Sequence, residues 1–226
     1  MTSATKETKR RAIITVDNPV SVHAEAYRTL RTNVQWSSVE NPLRTLLVTS
    51  AEQGAGKSTT AVNLAAAFAL MGKKTVIVDA DMRRPTQHCY FNKANRAGLS
   101  NLLNGQLTLK QTVQETHVEG LSLLPSGTIP HNPAELLAGQ RMDELLAELK
   151  QEYEFVLLDT TPVLAVTDAQ VLGAKADGVL FVLQCRSTKG ELARKAIAQL
   201  EYMQSNVIGT VLNRTKKKKI SYRYEM

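Results

Sequence analysis

Thr45-Leu46-Leu47-Val48-Thr49-Ser50-Ala51-Glu52-Gln53-Gly54-Ala55-Gly56-Lys57-Ser58-Thr59-Thr60 is the stretch from which the rest of the chain can be read. An apolar run ends, a loop with two glycines follows, and Lys-Ser-Thr heads a segment of apolar periodicity. That is the order strand, phosphate loop, helix. Successive backbone N–H groups in such a loop, with the positive end of a helix dipole behind them, cradle phosphate. Gly54 and Gly56 permit backbone angles and a close approach that a side chain would block. Lys57 is placed to reach the outer phosphates, and the Ser58 hydroxyl to bind Mg2+. The strict pattern asks for glycine six positions before the lysine; here that position is Ala51, a small residue.

Two further apolar runs end in acids. Val76-Ile77-Val78 closes on Asp79-Ala80-Asp81, and Val156-Leu157-Leu158 closes on Asp159. Both runs read as buried parallel strands. Ligands of a parallel sheet bind at the carboxyl ends of its strands, so these acids belong beside the phosphate loop. Acids next to a triphosphate require a cation between them. Mg2+ needs few protein ligands, so Ser58 with one or two carboxylates suffices, and an acid left over can accept a proton from a nucleophile.

Outward from these motifs, strands and helices alternate. Strands are expected at 43–50, 75–79, 121–125, 155–159, 179–184 and 207–213. Helices are expected at 58–71, ending at Gly72, at 133–153 with a break at Gly139, and at 189–203. Residues 82–120 form a long excursion with short helical patterns around Leu99–Gly105. Residues 1–20 read as a flexible or extended lead. From Ser21 to about Ser38 the pattern is helical, with Glu25, Arg28 and Arg31 on a slanted polar stripe beside Ala24, Tyr27, Leu30 and Val34. Such a stripe is either a contact surface or a solvated face with an internal Glu–Arg pair. The alternation argues an α/β fold: a mostly parallel sheet with helices on both faces.

Composition narrows the function. The chain has 226 residues and is 43% apolar, and its longest nearly uncharged apolar stretch, Ala61–Met71, falls far short of the ~20 residues of a membrane span. Two cysteines and four scattered histidines offer neither a disulfide framework nor metal-ligand spacing, which makes the cytoplasm the expected location. The net charge of +7 sits at the ends. Residues 1–11 carry +3 and residues 214–226 carry +5, leaving −1 for the 202 residues between. That near-neutral body argues against specific nucleic-acid binding and against a DNA-partition ATPase. The basic ends suit either an anionic surface or solvation.

Taken together, Ala51–Thr59, Val76–Arg83 and Phe155–Asp159 with Thr160-Thr161-Pro162 resemble the Walker A, Walker A′ and Walker B motifs of the bacterial tyrosine kinases (BY-kinases) of capsular and exopolysaccharide synthesis. Glu25-Ala26-Tyr27-Arg28-Thr29-Leu30-Arg31-Thr32-Asn33 is similar to that family's oligomerisation motif, and Tyr222 and Tyr224 to its C-terminal tyrosine group. The resemblance implies a P-loop NTPase-like kinase domain over residues 1–213, including the oligomerisation helix at about 21–38, and a flexible basic tail over 214–226. It implies ATP and Mg2+. Gly54, Ala55, Gly56, Lys57, Ser58 and Thr59 would hold the phosphates, and Asn213 the adenine. Ser58 and Asp81 would hold the metal, with Asp159 acting through water, and Asp79 would orient or deprotonate the tyrosine.

It further implies a ring homo-oligomer built through Glu25, Arg28 and Arg31, with autophosphorylation of Tyr222 and Tyr224 between subunits. Its partners would be a membrane-embedded activator of the polysaccharide chain-length-regulator type, which recruits the protein to the inner face of the membrane, and a cognate tyrosine phosphatase. The rival reading is a MinD/ParA-like positioning ATPase without kinase activity. Those relatives carry a signature lysine where this chain has Glu52. Two other departures are Thr160-Thr161-Pro162 in place of Thr-Pro-Pro, and a tail group of only two tyrosines.

Overall fold

The runs that end in the phosphate loop and in the two sets of acids lie side by side at the centre of one sheet. The computed structural model describes residues 11–37 and 42–215, so Tyr222 and Tyr224 lie outside the described residues. In chain order, α1 (Ile14–Asp17) and α2 (Val22–Trp36) precede β1 (Thr45–Ser50), α3 (Lys57–Ala69) and β2 (Thr75–Asp79). The excursion contains α4 (Gln87–Phe91), α5 (Leu99–Leu103), α6 (Leu109–Thr112) and β3 (Gln114–Glu115), and returns as β4 (Leu121–Leu124). Then come α7 (Pro133–Ala138), α8 (Gln140–Glu152), β5 (Phe155–Asp159), α9 (Asp168–Lys175), β6 (Gly178–Gln184), α10 (Gly190–Tyr202) and β7 (Val207–Asn213).

The strand order is β3-β4-β2-β5-β1-β6-β7. Every pairing is parallel except the short β3/β4 pair at one edge. Strands β1, β2 and β5 are buried at every residue, as strands covered on both faces must be. Alternate residues face opposite layers. Leu46, Val48, Ile77 and Leu157 pack with Leu64 and Phe68 of α3 and with Val34 of α2. Leu47, Val78 and Leu158 pack with Leu137, Leu145 and Leu172 of α7, α8 and α9. The Phe68 and Phe155 rings stack with centroids 3.9 Å apart, fastening α3 to β5.

The expected break at Gly139 is present: this residue is extended (φ −64°, ψ 157°) and separates α7 from α8. Ser21 caps α2 by accepting from Ala24 N at 3.1 Å. The sequence reading does not place α9.

The described part of the expected flexible lead is not a lead. Ile13 is fully buried in the layer that holds α3, and Thr15 is buried beside it. Thr15 N donates to Asn63 Oδ1 at 3.1 Å, and the Asp17 carboxylate accepts from Ile13 N at 2.7 Å. The five-residue run Ala12–Val16 is too short to show periodicity, and its partner Asn63 is far away in sequence. Ile13→Ala is therefore expected to lower stability by about 2–5 kcal/mol, read from the urea-unfolding midpoint. An unchanged midpoint would mean that this segment is not part of the core.

Candidate functional site

The site forms where β1, β2 and β5 end together. Asp79 and Asp159 are Cα partners in the β2/β5 register, so two carboxylates stand side by side on adjacent strands. Both are fully buried. The phosphate loop runs from β1 into α3. Gly54 and Gly56 have φ of 87° and 97°, in the left-handed region that favours glycine. Gly56 is constrained a second way: a Cβ there would lie 2.0 Å from the Asn213 amide nitrogen. That amide, at the end of β7, donates to Ala55 O at 2.9 Å, and its oxygen accepts from Arg214 N at 2.8 Å.

Lys57 opens α3 and points at the acids. Its Nζ lies 2.9 Å from Asp81 Oδ2 and 3.4 Å from Ser58 Oγ. Burial alone would lower the lysine pKa; the nearby Asp159, Asp81 and Asp79 outweigh it and hold the pKa above its ordinary value. Asp81 Oδ1 accepts from Arg84 N at 3.0 Å. The cavity beside these groups has a volume of about 470 Å³. Lys57, Ser58, Thr59 and Asp81 line it, and Arg11, Arg83, Arg84 and Arg214 add positive charge around it. A cavity of this size with convergent polar groups suits a nucleotide-sized ligand.

Each of the two paired acids has one oxygen held and one left over. Asp79 Oδ2 accepts from Thr86 N at 2.9 Å and Gln87 N at 2.8 Å. Asp159 Oδ2 accepts from Gln87 Nε2 at 2.7 Å. Asp79 Oδ1 and Asp159 Oδ1 are buried with no hydrogen-bond partner among the described residues. Burial, and then the charge of Asp159, push the Asp79 carboxyl well above the usual carboxylate range against the pull of the Gln87 and Thr86 amides. Burial likewise raises Asp159, against the pull of Lys57, Gln87 and Ser58.

The Ser58 hydroxyl, the Asp81 carboxylate and the orphaned oxygen of Asp159 are a hard-donor set, which fits Mg2+. Among the described residues no cluster of three or more His, Cys, Asp or Glu could hold a metal. The cation would therefore rely on few protein ligands together with phosphate oxygens and water, as Mg2+ does.

The structure thus gathers Gly54, Ala55, Gly56, Lys57, Ser58, Thr59, Asp79, Asp81 and Asp159 at the carboxyl ends of the central strands, with Asn213 behind the loop. Glu25, Arg28 and Arg31 lie apart on α2 and are tied within the chain. Arg28 donates to Glu25 at 2.7 Å and to Pro19 O at 2.6 Å. Arg31 donates to Ala67 O of α3 at 3.2 Å.

Two polar residues of α4 were missed in the sequence. Gln87 touches Asp159, Asp79 and Ser58 O, and Tyr90 OH lies 2.8 Å from Thr59 Oγ1. Their only signal is position: they head the excursion that leaves directly from the acid-ended β2. Arg83 closes the Val76–Arg83 run. It forms a fork on the fully buried Asp168, at 2.9 and 3.0 Å, joining the exit of β2 to α9.

The chain is similar to known proteins in sequence and in fold. Residues 43–216 match the family described as AAA domain. The chain is 43% identical over 212 residues to the tyrosine-protein kinase YwqD of Bacillus subtilis (strain 168), covering 94% of this chain and 90% of that protein. The crystal structure of the chimerical protein CapA2B2 superposes with a TM-score of 0.87 at 38% identity, covering 91% of this chain and 90% of that one. The kinase domain of the Escherichia coli tyrosine kinase ETK superposes with a TM-score of 0.88 at 32% identity, covering 99% and 88%.

The raised carboxyl pKa values have a consequence for stability without nucleotide or Mg2+. The folded state holds these protons more tightly than the unfolded chain. The resulting stability is fully present below the ordinary carboxyl pKa and is lost as pH rises through the raised folded values. Asp79→Asn keeps an oxygen for the Thr86 and Gln87 amides and removes the charge. At about pH 8 it is expected to stabilise the ligand-free protein by about 1–3 kcal/mol, with the gain shrinking as pH falls toward about 4. Thermal melts of both proteins across that range check it, and a variant less stable than wild type at about pH 8 refutes it.

Proposed function

The chain belongs to the bacterial tyrosine-protein kinase family, and from that premise we propose that it transfers the γ-phosphoryl group of Mg-ATP to Tyr222 and Tyr224 on the tail of a neighbouring copy. The observation that carries the reading is the convergence of Lys57, Ser58, Asp79, Asp81 and Asp159 at the carboxyl ends of the central strands. Tyrosine kinase activity itself comes with the family. The direction of transfer, the metal set and the individual roles are our reading.

In this reading the amides of Gly54, Ala55, Gly56, Ser58 and Thr59 hold the phosphates, and Asn213 contributes to the adenine side. Lys57, now paired with Asp81, turns to the β- and γ-phosphates, and Asp81 is freed for the cation with Ser58. Asp159 serves the same cation through water. Bound Mg2+ supplies charge neutralisation at the β/γ oxygens. Asp79 is held through Oδ2 and offers Oδ1 to the tyrosine hydroxyl. The tyrosine oxygen bonds to the γ-phosphorus as the bond from phosphorus to the β–γ bridging oxygen breaks. ADP leaves, and the phenolic proton passes to Asp79. Positioning and charge stabilisation supply most of such a rate, so a weak base is adequate.

Residues 1–213 then form the kinase domain, and residues 214–226 its basic substrate tail. The Glu25/Arg28/Arg31 stripe meets the next subunit and closes a ring. No helix among the described residues is long and apolar enough to cross a membrane. We place the protein at the inner face of the membrane through an activator of the chain-length-regulator type. There a tyrosine phosphatase reverses the reaction and the cycle regulates capsular or exopolysaccharide synthesis and export.

A mixing experiment tests the transfer. Lys57→Met alone is expected to lose phosphotyrosine formation by at least about 10²–10³-fold while remaining folded. Mixed with an active copy carrying Tyr222→Phe and Tyr224→Phe, the Lys57→Met protein should gain phosphate on its own tail. No phosphate on that tail would rule out transfer between subunits.

For the ring, Arg28→Ala combined with Arg31→Ala should lower the sedimentation mass of unphosphorylated protein. Since Arg31 also braces α3, a melting curve must accompany the measurement. An unchanged mass in a folded variant would leave the stripe as a solvated face.

A further inference from the structure

Gln87 is fully buried and belongs to none of the three motifs, yet it touches all of them. Its Nε2 donates to Asp159 Oδ2 at 2.7 Å, at the end of the strand that resembles Walker B, and to Ser58 O at 3.1 Å, in the first turn after the phosphate loop. Its backbone N–H donates to Asp79 Oδ2 at 2.8 Å. The amide's orientation is set by chemistry: a carboxylate and a peptide carbonyl can only accept, so the NH2 group must face them. The other end, Gln87 Oε1, is buried with no partner among the described residues. A side chain held by its donors while its acceptor goes unmet is fixed by what those donors touch.

We propose that Gln87 is a positioning residue for phosphoryl transfer: its amide fixes the rotamer of Asp159 and ties it to the first turn of α3, so that Asp159 Oδ1 is presented to the cation side of the site. The inference rests on the reading of Asp159 as the acid that serves the cation. With Oδ2 taken by Gln87, Oδ1 is the oxygen left for a metal-bound water. Without the amide, the carboxylate is free to rotate, and the link from β5 to Ser58 O is cut. One turn further on, Tyr90 holds the Thr59 hydroxyl, so α4 braces consecutive residues of the phosphate-binding turn. The inserted excursion thus contributes structure to the site through α4.

The test is binding of a fluorescent ADP analogue, in Mg2+ and in EDTA, to wild type, Gln87→Met, Asp159→Asn and the double variant. Gln87→Met keeps the length of the side chain and removes the donor. It is expected to reduce the Mg2+-dependent gain in affinity by about 10- to 100-fold, the usual effect of losing a group that orients a metal ligand. Affinity in EDTA should fall by far less, because the loop amides and Lys57 remain and only one bond to Ser58 O is lost. In steady-state assays kcat should fall while KM for a tyrosine peptide holds. In the Asp159→Asn background, Gln87→Met should have no further effect on the Mg2+ response.

Should Gln87→Met not fold, Gln87→Asn, whose amide is one methylene too short to reach both acceptors, takes its place with the same expectation. A folded variant that keeps the wild-type Mg2+ response overturns the proposal, as does one that loses affinity equally in Mg2+ and EDTA, since that marks a packing role. If Asp159→Asn also keeps the full Mg2+ response, the reading of Asp159 has failed and the proposal falls with it. If Asp159→Asn loses the response and Gln87→Met does not, only the proposal about Gln87 falls.

Discussion

Two carboxylates in one strand register, both out of contact with solvent, are the constraint around which this molecule is arranged. Like charges on adjacent strands, roughly 5 Å apart by the ordinary spacing of a sheet, repel strongly in a medium of low polarisability. The fold meets that repulsion in three ways. Backbone amides of Thr86 and Gln87 take one oxygen of Asp79, the Gln87 side chain takes one oxygen of Asp159, and Lys57 brings a positive charge alongside. What they leave unmet is one oxygen on each acid. An uncompensated acid oxygen of this kind favours a positively charged neighbour, which is the role proposed above for the cation beside Asp159.

The Lys57–Asp81 pair belongs to the same arrangement. Each partner is the natural mate of a group that arrives with the nucleotide: lysine of phosphate, aspartate of metal. Paired with each other at 2.9 Å and largely buried, they keep the ligand-free site from carrying two unmatched charges. Asn213 makes a comparable contribution from the opposite side, filling the space that a Cβ on Gly56 would claim and holding the loop through Ala55 O.

The parts legible in the sequence were those whose cause is local. A β-branched run followed by an acid, a glycine loop followed by Lys-Ser-Thr, and a glycine that interrupts a helical pattern each state their geometry within a few residues. The parallel sheet, its buried central strands and the break at Gly139 follow from these. What escaped was decided at long range. Ile13 and Thr15 look like a polar lead until Asn63 is brought to them. Gln87 and Tyr90 look like ordinary helix residues until the strand ends and the first turn of α3 converge on them. The polar stripe on α2 shows both kinds of cause. The Glu25–Arg28 pair is local and was foreseeable as one alternative, whereas the seat of Arg31 on α3 depends on how two helices cross.

The bond from Asn213 to Ala55 also defines a distance. It pins the last residue of the sheet to the phosphate loop, so the chain leaves the body at the rim of its own nucleotide cavity. From Asn213 to Tyr222 is nine residues, a leash of at most about 30 Å when fully drawn out. The root of the segment that bears Tyr222 and Tyr224 therefore lies beside the cavity proposed to hold the nucleotide. Any packing of copies that uses this tether must set one cavity within that radius of the next copy's root. Under the proposed transfer between copies, the sheet's final residue would act as a ruler for the spacing of subunits.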